Sequence, residues 1–143
     1  AKGPVPDEWK PVPIGEAIVR REGDDITMVS VGVGVHRSLE AAKELEKHGI
    51  SATVLDLRTV SPLDKKAICD SVSKTGRLLV VDEDYQSFGL SGELAAVVLE
   101  ERARLKYDRV CTEDTIPYSR NLEDQTLPNT QRIVKTALRL MAA

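Results

Sequence analysis

Asp56-Leu57-Arg58-Thr59-Val60-Ser61-Pro62-Leu63-Asp64 decides the fold class of this chain. The nine residues follow the apolar run 52–55 and lead into a helix with a set of start signals. Ser61 is expected at the N-cap, Pro62 at the first helical position and Asp64 three residues after the cap. Proline loses nothing there, because its missing N–H would be unpaired anyway, and a carboxylate suits the positive helix end. Asp56 and Arg58 are therefore expected at the carboxyl end of a strand, where open α/β sheets keep their ligand crevices.

Outward from this segment, strand and helix alternate. Residues 26–31 read as a strand, 36–47 as a helix stopped by Gly49, and 52–57 as the second parallel strand. A helix over 63–74 ends at Gly76, and the Leu78-Leu79-Val80-Val81 run suits a strand buried on both faces. A third helix starts near Ser91, a weak strand covers 109–112, and a polar stretch 113–127 precedes a final helix opened by Pro128-Asn129. That alternation predicts a three-layer α/β/α domain with a mostly parallel sheet, and residues 17–21 supply an antiparallel edge strand. Residues 1–13 hold four prolines and the single tryptophan, so they read as an arm or interdomain linker before a domain over 14–143.

Composition excludes several classes. The 143 residues carry a net charge of only −3, and the basic residues read as scattered among acids, which leaves no footprint for nucleic acid. One Trp and one Phe give no stacking platform for bases. No apolar run approaches the ~20 residues that span a bilayer, and the N-terminus lacks a signal-peptide core. Cys69 and Cys111 have neither metal-ligand nor disulfide-framework spacing, which fits reduced thiols and a cytoplasmic-type compartment.

Four places invite a chemical role. Gly32-Val33-Gly34 sits where a dinucleotide fingerprint would lie, with Asp56 placed for a ribose, but Arg37 stands where the third glycine is needed. Gly89-Leu90-Ser91-Gly92 lacks the last glycine of a nucleophile elbow, since Glu93 follows, and reads as a helix cap. Asp82-Glu83-Asp84 ends the third parallel strand, and Arg58 is the expected partner of these acids across the crevice. His36 is either a polar helix-entry residue or, with Arg58, a donor to an anionic group or a neighbouring domain. No complete catalytic set is present. A free-standing dinucleotide- or ligand-binding module remains the alternative on the residues alone.

Several stretches in order carry a resemblance. They are Ile26-Thr27-Met28-Val29-Ser30-Val31-Gly32, Val35-His36, Ala41-Ala42-Lys43-Glu44-Leu45 and the opening segment from Asp56 to Asp64. Lys74-Thr75-Gly76-Arg77, Val80-Val81-Asp82-Glu83, Ile116-Pro117-Tyr118 and Leu127-Pro128-Asn129 follow. Together they resemble the carboxyl-terminal transketolase-like domain of the β subunit of 2-oxo-acid dehydrogenases, the family of the pyruvate, branched-chain 2-oxo-acid and acetoin enzymes. The resemblance implies an assembled α–β enzyme that uses thiamine diphosphate and a divalent metal to decarboxylate a 2-oxo acid and pass the acyl group to a lipoyl arm. Neither group is expected on this domain, which is expected to be inactive alone. Implied partners are the pyrimidine-binding domain of the β subunit, an α subunit, the dihydrolipoyl acyltransferase and a second copy in a homodimer, in cytoplasm or an organelle matrix. No catalytic, cofactor or metal residue carries over. His36, Arg58, Asp82, Glu83 and Tyr85 are the expected interface or crevice residues.

Overall fold

The apolar runs form the centre of a five-stranded sheet. The structure, a computed structural model, describes residues 7–8, 10–101 and 104–142. In chain order the elements are β1 (Ile18–Arg21), β2 (Ile26–Ser30), α1 (Val33–Glu46), β3 (Ala52–Asp56) and α2 (Lys65–Thr75). Then come β4 (Arg77–Tyr85), α3 (Leu90–Glu100), β5 (Lys106–Thr112), α4 (Arg120–Thr126) and α5 (Thr130–Ala142). The strand order is β1-β3-β2-β4-β5, with β1 antiparallel to β3 and the other neighbours parallel.

Every residue of β2 and β3 is buried, because helices cover both faces of the sheet. Met28, Val54, Leu79 and Val81 meet α1 and α5, where Leu45, Ile133, Ala137 and Leu140 close the layer. Val29, Leu55, Leu78 and Val80 face the other way, onto Ile68 and Val72 of α2 and Leu94 and Val98 of α3. Each such side chain contributes about 1.5–3 kcal/mol of burial. The expected three-layer α/β/α architecture with an antiparallel edge strand is the one observed.

Chain direction places the site. The chain steps from β2 to β3 through α1 on one face, then returns past β2 to β4 through α2 on the other. The carboxyl ends of β2 and β4 are thus the topological switch point, the usual mouth of an open α/β sheet.

Local boundaries depart from the sequence expectation in several places, and β5 begins at Lys106 instead of Arg109. α1 begins at Val33, because Gly34 packs directly on the sheet: a Cβ there would lie 2.3 Å from Ser30 Oγ and 3.1 Å from Val81 O. β4 runs on to Tyr85, and α4 occupies part of the polar stretch before the last helix. The helix after the opening segment starts at Lys65, capped by Asp64 instead of Ser61. Asp64 Oδ1 accepts from the Ala67 N–H at 3.0 Å, while Oδ2 accepts from the Ala17 N–H at 2.9 Å. Thr59 Oγ1 accepts from the Gly15 N–H at 3.0 Å, and the Ser61–Pro62 peptide is cis. Residues 59–64 grip the incoming chain at Gly15 and Ala17, so they do not form a first helical turn. Of the proline-rich arm, residues 10–13 are exposed and without regular structure, whereas Pro4, Pro6 and Trp9 lie outside the described residues.

The cap assignment is tested by substitution. Asp64→Ala is expected to lower stability by about 1–2 kcal/mol, whereas Ser61→Ala stays within about 0.5 kcal/mol, as read from urea unfolding midpoints. The reverse ranking would restore Ser61 as the cap.

Candidate functional site

The side chains expected to carry function gather at the carboxyl edge, in two groups separated by β2. On the β3 side a crevice of about 510 Å³ is lined by Arg20, Gly32, His36, Asp56 and Arg58, with Val12 of the arm at its mouth. Asp56 is buried at the floor. Its Oδ2 accepts from Arg20 Nε at 3.0 Å and Nη2 at 2.9 Å, and its Oδ1 accepts from the Arg58 N–H at 3.0 Å. Both oxygens are engaged by protein, so Asp56 offers no free carboxylate to a ribose.

Arg58 is held in the left-handed region at φ 56°, a conformation that costs a residue with a Cβ about 1–3 kcal/mol. Two bonds hold it there: its N–H to Asp56, and its Nε donating to Glu16 O at 2.9 Å. The guanidinium therefore lies over the arm and β1. The expected pairing of Arg58 with Asp82 and Glu83 does not occur, because β2 stands between the strands that carry them.

Arg37 takes that role. Its Nη1 donates to Glu83 Oε1 at 2.7 Å and also to Pro128 O. The residue that spoils the dinucleotide fingerprint thus ties α1 to the end of β4 and to the start of α5. Ser30 Oγ donates to Val81 O at 2.6 Å across the switch point, directly under Gly34. Gly34 is therefore packed onto the sheet, while Gly32 opens onto the crevice.

The β4 acids divide by position. Glu83 and Tyr85 are exposed, whereas Asp82 is only 7% exposed. Asp82 Oδ1 accepts from the Asp84 N–H at 3.2 Å, while its Oδ2 has no hydrogen-bond partner. Burial pushes its carboxyl above the usual range, and burial likewise pushes up the Cys111 thiol.

Two exposed aromatic side chains lie outside the expected set of interface residues, although Phe88 belongs to the loop 85–89 that the family resemblance marks as variable. Phe88 is fully exposed at φ 63°, in a loop closed at Gly89, where a Cβ would lie 2.1 Å from Tyr85 O. Tyr118 is equally exposed, and Ile116 and Leu122 are close to half exposed beside it in sequence. The two loops leave the sheet together, since the Gln86 N–H donates to Thr112 O at 2.8 Å and Thr112 Oγ1 donates to Glu83 O at 2.7 Å. The available signal was an aromatic in a glycine-closed loop in a chain with few aromatics. Among the described residues, no group of three or more His, Cys, Asp or Glu side chains could hold a metal ion. No described helix is long and apolar enough to cross a membrane.

Comparison with known proteins matches residues 15–133 to the family described as transketolase, C-terminal domain. The chain is 44% identical to the 2-oxoisovalerate dehydrogenase subunit beta of Bacillus subtilis, over 99% of this chain and 44% of that protein. It is 40% identical to the acetoin:2,6-dichlorophenolindophenol oxidoreductase subunit beta of the same organism, over 98% of this chain and 42% of that protein. The chain therefore spans less than half the length of these curated relatives. Among solved structures, a split-gene transketolase described as an inactive β4 tetramer superposes with a TM-score of 0.85 at 28% identity, covering 96% of this chain and 47% of that one.

The buried Asp82 sets a pH dependence. Its folded-state pKa is raised, so the folded protein holds the proton more tightly than the unfolded chain. The stability this contributes is complete below the ordinary carboxylate pKa and is lost as pH rises through the raised value. Asp82→Asn should therefore stabilise the chain at pH 7, a gain that disappears as pH falls below the ordinary carboxylate range. Thermal unfolding of both proteins across that range is the measurement; a variant less stable at pH 7 would show that Asp82 has an ionic partner.

Proposed function

The chain belongs to the transketolase C-terminal domain family, and on that premise we propose that it is the C-terminal assembly domain of the β subunit of a thiamine-diphosphate-dependent 2-oxo-acid dehydrogenase. One observation carries this. The alignment to β subunits runs through nearly the whole chain at 40–44% identity, while covering only 42–44% of those subunits. In the assembled enzyme a 2-oxo acid is oxidatively decarboxylated and the acyl group passes to a lipoyl group. The contribution of this chain is to associate subunits and dock the acyltransferase, and it is not catalytic alone. Its partners are the pyrimidine-binding part of the β subunit, an α subunit, the dihydrolipoyl acyltransferase and a second copy of itself, in cytoplasm or an organelle matrix.

Thiamine diphosphate and its metal do not fit the described residues. They gather no acid cluster for a divalent ion, and Gly34 of the glycine turn is packed against Ser30 Oγ and Val81 O. The cofactor is assigned to the rest of the assembly. The same packing, with Asp56 bound to Arg20, argues against a dinucleotide module.

The residues of this chain act by shape and charge at the carboxyl edge. His36 and Arg58 line the crevice on one side of β2, and Glu83 and Tyr85 stand exposed at the end of β4 on the other. Phe88 and Tyr118 add apolar surface of the kind a partner protein covers. Asp82 is buried within β4, behind the exposed Glu83. The arm over residues 1–13 would lead into this domain from the preceding one.

Reconstitution tests the proposal. The chain alone should neither decarboxylate pyruvate or 2-oxoisovalerate nor cleave acetoin. Adding a pyrimidine-binding β segment and an α subunit should give thiamine-dependent turnover. Tyr85→Asp with Phe88→Asp should weaken that assembly by about ten-fold or more in sedimentation, with the isolated fold intact. Turnover by the chain alone, or saturable micromolar binding of NAD or FAD, would overturn it.

A further inference from the structure

The fold gathers positive charge where the sequence shows none. Arg109 and the three basic residues Arg132, Lys135 and Arg139 are more than twenty residues apart in the chain, yet they line one groove of about 480 Å³ between β5 and α5. The acids Asp108 and Glu113 share it, so four cations face two anions in a chain whose net charge is −3. The groove follows the edge of β5 that has no neighbouring strand.

The groove already binds carboxylates, and they come from the chain itself. Arg139 holds Asp108 Oδ2 through Nε at 3.1 Å and Nη2 at 2.7 Å, and Asp108 Oδ1 accepts from the Arg109 N–H at 2.9 Å. Arg132 Nη2 donates to Glu113 Oε1 at 2.7 Å and to Cys111 O at 3.0 Å. These contacts also occupy peptide groups of β5 at Arg109 and Cys111, so the edge is not free to take an added strand through its backbone. Two cations differ from this pattern. The Arg109 guanidinium is fixed by donating from Nη1 to Gln86 O at 2.8 Å and to Ser91 Oγ at 3.2 Å, both neutral acceptors. Lys135 is exposed and makes no ion pair among the described residues.

We propose that this groove docks an acidic, extended segment of a partner protein, whose carboxylates are held by Lys135 and Arg109 beside the internally satisfied Arg132 and Arg139. Charge complementarity names the occupant. A basic segment would meet four cations, and an apolar one would leave Arg109 and Lys135 desolvated without a counter-charge. Recognition works through side chains, so it depends on charge spacing and falls with salt. The groove stands apart from the family assignment, and its test can fail while that assignment holds.

The test uses the full chain and a fluorescent peptide of about nine residues with alternating Glu and Ser, compared with its Gln-for-Glu counterpart. Anisotropy at low salt should show saturable binding of the Glu peptide only, weakened about ten-fold or more when salt rises from about 20 to 200 mM. Lys135→Glu should weaken it by about ten-fold, whereas Lys65→Glu, the same charge change at the start of α2, should alter it less than about two-fold. In the unmodified protein, amide shifts should concentrate at Arg109 and along α5, a readout independent of any variant. Equal weakening by both substitutions, shifts spread over the surface, or no saturable binding would each overturn the proposal.

Discussion

The Asp56 carboxylate is the constraint on which the rest of this structure depends. Burying a carboxylate is costly unless its oxygens are answered, and the partners that answer Asp56 come from two different segments. Arg20 brings β1 against β3, and the Arg58 N–H folds the chain sharply after β3. That fold directs Thr59 and Asp64 at Gly15 and Ala17, so the same short stretch that ends a strand also anchors the edge strand and caps α2. Removing Asp56 would leave an arginine and a backbone N–H without partners at the floor of the crevice, and the register of β1 would lose its reference point.

How much could be read in advance follows from where the determining contacts lie. The runs Met28-Val29 and Leu78-Leu79-Val80-Val81 declared buried strands because a strand covered on both faces needs apolar residues without alternation. Gly76 marked the end of α2 because a left-handed cap favours glycine. The start of that helix was not legible: Ser61 and Asp64 are both good caps by type, and the choice is made by the Ala17 N–H, which is far away in sequence. α4 was hidden because its Arg120–Thr126 sequence buries no residue and so carries no apolar rhythm. The pairing of Glu83 with Arg37 instead of Arg58 depends on strand order, which local patterning does not specify.

The site shows the same division. The carboxyl edge was legible as a place, since strand ends and glycine turns locate it in any doubly wound fold. Its occupancy was not. Ser30 Oγ, Gly34 and the Arg37–Glu83 pair close the switch point, which leaves exposed aromatic and charged side chains at the rim. The β5 groove was only half legible: Arg132, Lys135 and Arg139 share one face of α5, but Arg109, Asp108 and Glu113 join them only when α5 lies along β5.

The register irregularity in β1 has a consequence for how the protein keeps to itself. β1 spans four residues, its pairing with β3 slips between Val19 and Arg21, and two consecutive arginines sit at that slip. A strand that short, irregular and charged is a poor template for another sheet. At the opposite margin, Asp108 and Arg132 cover backbone groups of β5. Both margins of the sheet thus disfavour open-ended stacking, which lowers the risk of polymerising through the chain's own strands.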